Sequence, residues 1–251
     1  MKRFLGMALV GLFVAAPALT SRAGEQEAKA VLDKAVKALG GEEKLSKVKA
    51  FTTKAKGTVS FEGNDNPFTG ETTIQGLDKF RSEFEGEFNG NRFKGVTVLN
   101  GDRAWRKFGD DAMSLDGDAL ANEKRVVYLQ LVPVLILPLK GKDFKVESAP
   151  EEKVDDKPAA VVKATGPDGK EFTLYFDKES GLPVKQTATV AGFRGGEFTQ
   201  ETTYHDYKDF DGLKKATKTR STRDGQRFVD AEVTEFKVVD DVAPETFSEP
   251  K

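Results

Sequence analysis

In residues 80–88, FRSEFEGEF, Phe80, Ser82, Phe84, Gly86 and Phe88 alternate with Arg81, Glu83, Glu85 and Glu87. A period of two belongs to a strand, whose successive side chains point to opposite faces. The three rings therefore share one face and every charge lies on the other. Such a strand needs paired neighbours and an apolar cover for its rings, so the chain is committed to a sheet with one covered face.

The same character extends through most of the sequence. Strands are expected near 51–61, 68–76, 79–88, 92–99 and 103–108, with the turn sequences EGNDN, NGN and NGD between them. Links this short join antiparallel neighbours. A second run follows near 143–148, 159–165, 170–176, 183–190, 196–206, 213–223 and 226–238, in which Phe172, Leu174 and Phe176 of EFTLYFD share a face. Residues 149–158 read as a charged loop. Helices are expected in two places. Over 25–40, Ala28, Val31, Leu32, Ala35, Val36 and Leu39 form one apolar stripe, and Gly40 and Gly41 stop it before a short helix over 42–48. The central segment 118–138 begins at an N-cap, Asp116 or Asp118, and is helical to about Leu131. Pro133 should end or kink it, and the following VLIL, Val134–Leu137, must be enclosed by protein or ligand. The coarse reading is a single α+β domain over 24–251, with about twelve strands and helices at its start and middle.

Lys2 and Arg3, the apolar stretch from Phe4 to Leu19 and the small residues Ser21 and Ala23 read as a secretory signal peptide over 1–23. Removing it takes away three basic residues and no acidic ones, so the exported chain is more acidic than the −2 of the whole. Neither nucleic acid nor an anionic membrane surface is an expected partner. With no cysteine there is no disulfide, thiolate or lipid-anchor chemistry. The periplasm is the expected location, with secretion second.

Motifs for catalysis are missing. The single histidine, His205, stands near a strand end with no nucleophile-elbow serine to serve. The acidic turn DYKDFDG offers Asp206, Asp209, Asp211 and Gly212, but a calcium loop in that frame would have Tyr207 at its first ligand and Lys218 at its last. No phosphate loop or dinucleotide fingerprint occurs. Neither catalytic residue, metal nor cofactor is expected. What remains is an apolar surplus of nineteen phenylalanines, four tyrosines and Trp105 in a charged meander. The two helices could cover it, or a sheet too wide for them could leave a hollow for a lipid-like ligand.

LDKFRSEF (77–84) followed by VTVLNGDRAW (96–105) resembles a signature of the LolA/LolB-like superfamily of periplasmic lipoprotein carriers and outer-membrane receptors. LYFDKESGLPVKQ (174–186), GGEEKLSKVKAF (40–51) and the ending DDVAPETFSEP (240–250) resemble further parts of that group in the same order. The resemblance implies an incomplete antiparallel barrel, strongly curved and wrapped around helices, with a cavity for acyl chains. It places Phe80, Phe84, Phe88 and Trp105 at that cavity, and makes the segment 126–139, with Val127, Leu131, Val134 and Leu135, its plug or lid. Two departures accompany it: the carriers' latch arginine corresponds to about Gly76 here, and the central segment differs. Arg81 matches the family's strand arginine but points away from the rings, in a structural role. The implied function is a non-catalytic carrier for a lipid or lipoprotein acyl chains. The alternative is a module of the same fold, filled by its own side chains, that recognises another envelope protein.

Overall fold

The structure, a computed structural model, describes residues 18–61, 63–88, 91–192 and 195–251. Most of the expected signal peptide lies outside the described residues. Two helices, α1 (Ala18–Leu39) and α2 (Glu42–Lys47), precede six strands: β1 (Ala50–Phe61), β2 (Asn64–Gln75), β3 (Lys79–Phe88), β4 (Asn91–Asn100), β5 (Arg103–Phe108) and β6 (Asp111–Leu115). Helix α3 (Gly117–Leu135) and a 3-10 turn (Leu137–Lys140) follow. The chain then forms β7 (Lys145–Val154), β8 (Lys157–Thr165), β9 (Glu171–Asp177), β10 (Pro183–Ala191), β11 (Glu197–Phe210), β12 (Leu213–Arg223) and β13 (Gln226–Val239), and ends in a 3-10 turn (Pro244–Phe247).

All thirteen strands form one antiparallel sheet in the order β6-β5-β4-β3-β2-β1-β13-β12-β11-β10-β9-β8-β7. The two meanders are joined where β1 pairs with β13, and β6 and β7 remain as edges. The sheet is not flat. One helix, α3, reaches both Arg106 on β5 and the Thr189 carbonyl on β10, from Glu123 and Arg125, two residues apart. Those strands are eight spacings apart in the sheet, about 38 Å if it lay flat, and a helix with its side chains is only about 10–12 Å thick. The sheet must curl most of the way around α3 without closing, as an incomplete barrel.

Three expectations need correction. The count is thirteen because DAMSL forms β6, a short strand whose alternation is too brief to read. Residues 149–158 are not a loop: β7 and β8 meet at a two-residue turn in which Asp155 and Asp156 both have positive φ, 48° and 61°. Both central residues of a type I′ turn need that conformation, and Asp tolerates it. Pro150 fits because β7 is an edge strand with an irregular register between Ala149 and Glu152. Nor does Pro133 end α3, which continues to Leu135. The helix stops at Ile136, whose φ of 58° is costly for a β-branched residue but whose side chain is fully buried.

The expected stripe on α1 is buried at Ala28, Leu32, Ala35, Val36 and Leu39. The helix starts at Ala18 rather than 25, yet Arg22 and Ala23 are exposed, so cleavage after Ala23 would leave that packed stripe whole.

Candidate binding site on the concave face

Along β3 the alternation read from the sequence holds, and the inward row has two zones. Lower down, Phe80 is buried at 3% exposure among Phe51, Ile74, Leu99, Ala104, Leu115 and Phe236. From the helix side Val127 and Leu131 enter this cluster, and Val134 and Leu135 pack against it half-buried. Five of the expected site residues thus come together, and α3 plugs the hollow at that point. Higher up, beyond α3, Phe84 is only half-buried. Its ring lies 5.4 Å from that of Phe93 and 6.4 Å from Phe108, and Phe93 and Phe108 stack at 5.2 Å. Phe93 is one of the large apolar side chains left exposed, at 36%. The side chain of Phe88 lies outside the described set.

Trp105 is not part of the hollow. Ala104 and Leu99 face inward, so Val98, Trp105 and Val96 face outward, where Phe247 of the C-terminal turn covers them. The tryptophan was assigned to the cavity by resemblance, but the pairing parity puts it on the convex side. Arg81 is there too, as expected. It pairs with Glu83 and donates to the Thr246 carbonyl at 3.2 Å, while Asn100 donates to the Phe247 carbonyl at 3.2 Å.

The fastening of α3 has no counterpart among the motifs read from the sequence. Glu123 is ion-paired with Arg106 on β5. Arg125, 2% exposed, donates to the carbonyls of Thr189 and Glu171 at 2.8 Å each, to Asp168 Oδ2 at 3.0 Å and to the Tyr128 hydroxyl. The Tyr128 hydroxyl in turn donates to Asp168 Oδ1 at 2.9 Å. One helix is therefore clamped to both wings of the sheet. Burial pushes the Glu123 carboxyl above its ordinary range, and Arg106 pulls it only part of the way back. Burial likewise raises the Tyr128 phenol. A signal for these residues existed. Glu123 lies on the i, i+4, i+8 line of Val127 and Leu131, and Arg125 on the line of Leu129 and Val132, so both charges fall on stripes destined for burial. Gly76 lies in a turn with φ 64°.

His205 sits on β11 with its Nε2 2.9 Å from the Thr203 hydroxyl. Among the described residues no group of three or more histidine, aspartate or glutamate side chains is placed to hold a metal ion.

A half-closed antiparallel sheet curled around a central helix has solved counterparts. A LolA superfamily protein from Nitrosomonas europaea matches with a TM-score of 0.57 and 14% identity, covering 88% of this chain and 97% of that one. This chain has the LolA-superfamily fold. A DUF1329 family protein from Desulfovibrio piger matches with a TM-score of 0.56 and 12% identity over 88% of this chain and 97% of its own. A putative outer membrane lipoprotein-sorting protein domain from Vibrio parahaemolyticus matches at 0.54 and 9% identity over 90% and 97%. No protein-family model matches the sequence, and no curated protein does so. At these identities the likeness is one of architecture alone.

Proposed function

We propose that this protein is a non-catalytic carrier of the cell envelope that holds a lipophilic ligand, a lipid or the acyl chains of a lipoprotein, on the concave face of its half-barrel. The location follows from the signal-like N-terminus, which would export the chain to the periplasm. One observation carries the reading: the chain's own helices cover only part of the concave face. Below, α3 hides Phe80, whereas above it Phe84, Phe93 and Phe108 keep contact with solvent. A fully buried phenylalanine contributes about 1.5–3 kcal/mol, so three partly covered rings leave a substantial gain available to a ligand that covers them. No helix among the described residues is long and apolar enough to cross a membrane.

The test is native mass spectrometry of protein purified without detergent, together with titration of an apolar fluorophore. Co-purifying lipid, and fluorophore binding weakened in a Phe84→Ser/Phe93→Ser variant, are expected. Protein that arrives empty and leaves the fluorophore dark would refute the carrier reading. The filled lower half, where Val127 and Leu131 occupy the hollow themselves, favours the second reading of an envelope protein-interaction module. Capture of one defined protein partner by lipid-free material would support that one instead.

A further inference from the structure

The concave face carries a second feature, four strands along the sheet from Phe84. On β12, Arg223 lies on the same face as Ser221 and Thr219. It pairs across to Gln200 on β11, on the face that carries Phe198 and Tyr204. Its guanidinium carbon sits 3.6 Å from the centre of the Phe228 ring and 5.6 Å from that of Phe198. Its Nε donates to Gln200 Oε1 at 3.1 Å. Among the described residues neither of its two amino groups has an acceptor.

Among the described residues that state is peculiar to this arginine. The other arginines taken partly or wholly out of water each have a carboxylate: Arg81 has Glu83, Arg106 has Glu123 and Arg125 has Asp168. Arg223 has none within ion-pair distance among the described residues. Withdrawing an unpaired cation from water is costly, and burial lowers the pKa of this guanidinium. The two rings and Gln200 fix its plane while leaving one edge of the planar fork open to solvent. A carboxylate fits such an edge with two parallel hydrogen bonds. From Arg223 on β12 to Phe84 on β3 is four strand spacings, about 19 Å across the sheet, and six residues of register, about 20 Å along the strands, a path that the curl of the sheet shortens on its inner side. The same face between them carries Gly57 and Gly70, with the half-buried Phe68 beside them.

We propose that Arg223 is the anion-binding end of the ligand site, and that the ligand is a long-chain fatty acid. Its carboxylate lies on the guanidinium and its tail runs along the sheet to the rings of Phe84, Phe93 and Phe108. A single positive charge with no carboxylate partner among the described residues calls for a singly charged head. This assignment rests on the carrier reading above and narrows it.

The experiment compares a fluorescent polyene fatty acid with its methyl ester, which has the same tail and no charge. Wild-type protein is expected to bind the acid about tenfold more tightly than the ester at neutral pH. The ratio should fall to about one in Arg223→Gln and keep part of its value in Arg223→Lys, with thermal melting as the check that each variant folds. A ratio near one in the wild type overturns the assignment without any substitution, and so does an undiminished ratio in a folded Arg223→Gln. Should the glutamine variant fail to fold, the lysine variant decides. A smaller ratio than the wild type supports the assignment, because lysine lacks the planar fork, and an unchanged ratio overturns it. Equal binding of acid and ester removes only the role of Arg223, whereas binding of neither removes the carrier reading as well.

Discussion

Phe84 lies directly over Gly95 on the neighbouring strand: a Cβ placed on that glycine would stand 2.4 Å from Phe84 Cε1 and 2.9 Å from Phe108 Cε1. The rings of the open zone are thus laid down on a strip of bare backbone. The same device recurs across the sheet, where Phe198 would lie 2.4 Å from a Cβ on Gly192. A ring resting on glycine replaces the packing that the strand loses at that position.

Gly95→Ala should therefore push both rings outward. The expected cost is about 1–3 kcal/mol in urea unfolding, as for other overpacked sites. Binding of an apolar fluorophore should change at the same time. Unaltered stability and binding would mean that the rings do not rest where the geometry has them.

The clamp between Arg106 and Glu123 makes an asymmetric prediction. Burial outweighs the attraction of Arg106, so Glu123 holds its proton more tightly in the folded chain than in the unfolded one. Its contribution to stability is then greatest at low pH and declines as pH rises from the ordinary carboxylate range through the raised value. Glu123→Gln should abolish that decline and leave stability at pH 7 unchanged or slightly higher. Arg106→Gln should cost about 3 kcal/mol at pH 7, because it strands a buried carboxylate. Urea titrations of the three proteins between about pH 4 and 7 separate these outcomes.

On the opposite wing Arg125 satisfies two carbonyls and a carboxylate from one planar fork. A lysine has a single ammonium and cannot serve all three at once. Arg125→Lys is expected to cost roughly 2–4 kcal/mol and to speed hydrogen exchange within α3 more than within β1 or β2. Equal acceleration throughout would show a general loss of stability, with no clamp on the helix.

The strands, their antiparallel order and the buried stripe of α1 were legible because period and turn chemistry are local. Phe80 and Leu131 were expected in one place and are found there. Trp105 was misplaced because its face depends on a parity carried through β3 and β4, which no single strand displays. Pro133 was expected to end or kink α3, and the helix runs two residues past it because a helix wedged between two wings is held by tertiary contacts that outweigh one missing hydrogen bond. Asp168 had no local signal at all, since its partner Arg125 is 43 residues away.

The misplaced tryptophan offers its own test. It is the only one in the chain, and Phe247 seals it from outside. Phe247→Ala should cost about 3–4 kcal/mol and move the tryptophan emission to longer wavelength in protein that is still folded. A variant that ended before Pro244 should show the same shift, since the whole covering turn is then absent. An unshifted spectrum in either would place the ring elsewhere than beneath the C-terminal turn.

The last prediction comes from a seam in the sheet. The ladder between β12 and β13 runs from Lys218 to Arg223 against Gln226 to Glu232, and below it the two strands part. Lys215 lies in that lower stretch, with its ammonium 5.8 Å from the centre of the Phe236 ring and no carboxylate within ion-pair distance among the described residues. Burial pulls its pKa down to about 8. A depressed lysine binds its proton less tightly in the folded chain, so its contribution to stability rises with pH from about 8 toward the ordinary lysine value near 10.4. Lys215→Met keeps the aliphatic stem and removes the charge. It should raise stability at pH 7 by about 1–2 kcal/mol, a gain that shrinks steadily between about pH 8 and 10. Subtracting the two unfolding curves cancels every other titrating group, so a constant difference across that range would show that the Lys215 ammonium stays solvated and that the seam is open to water.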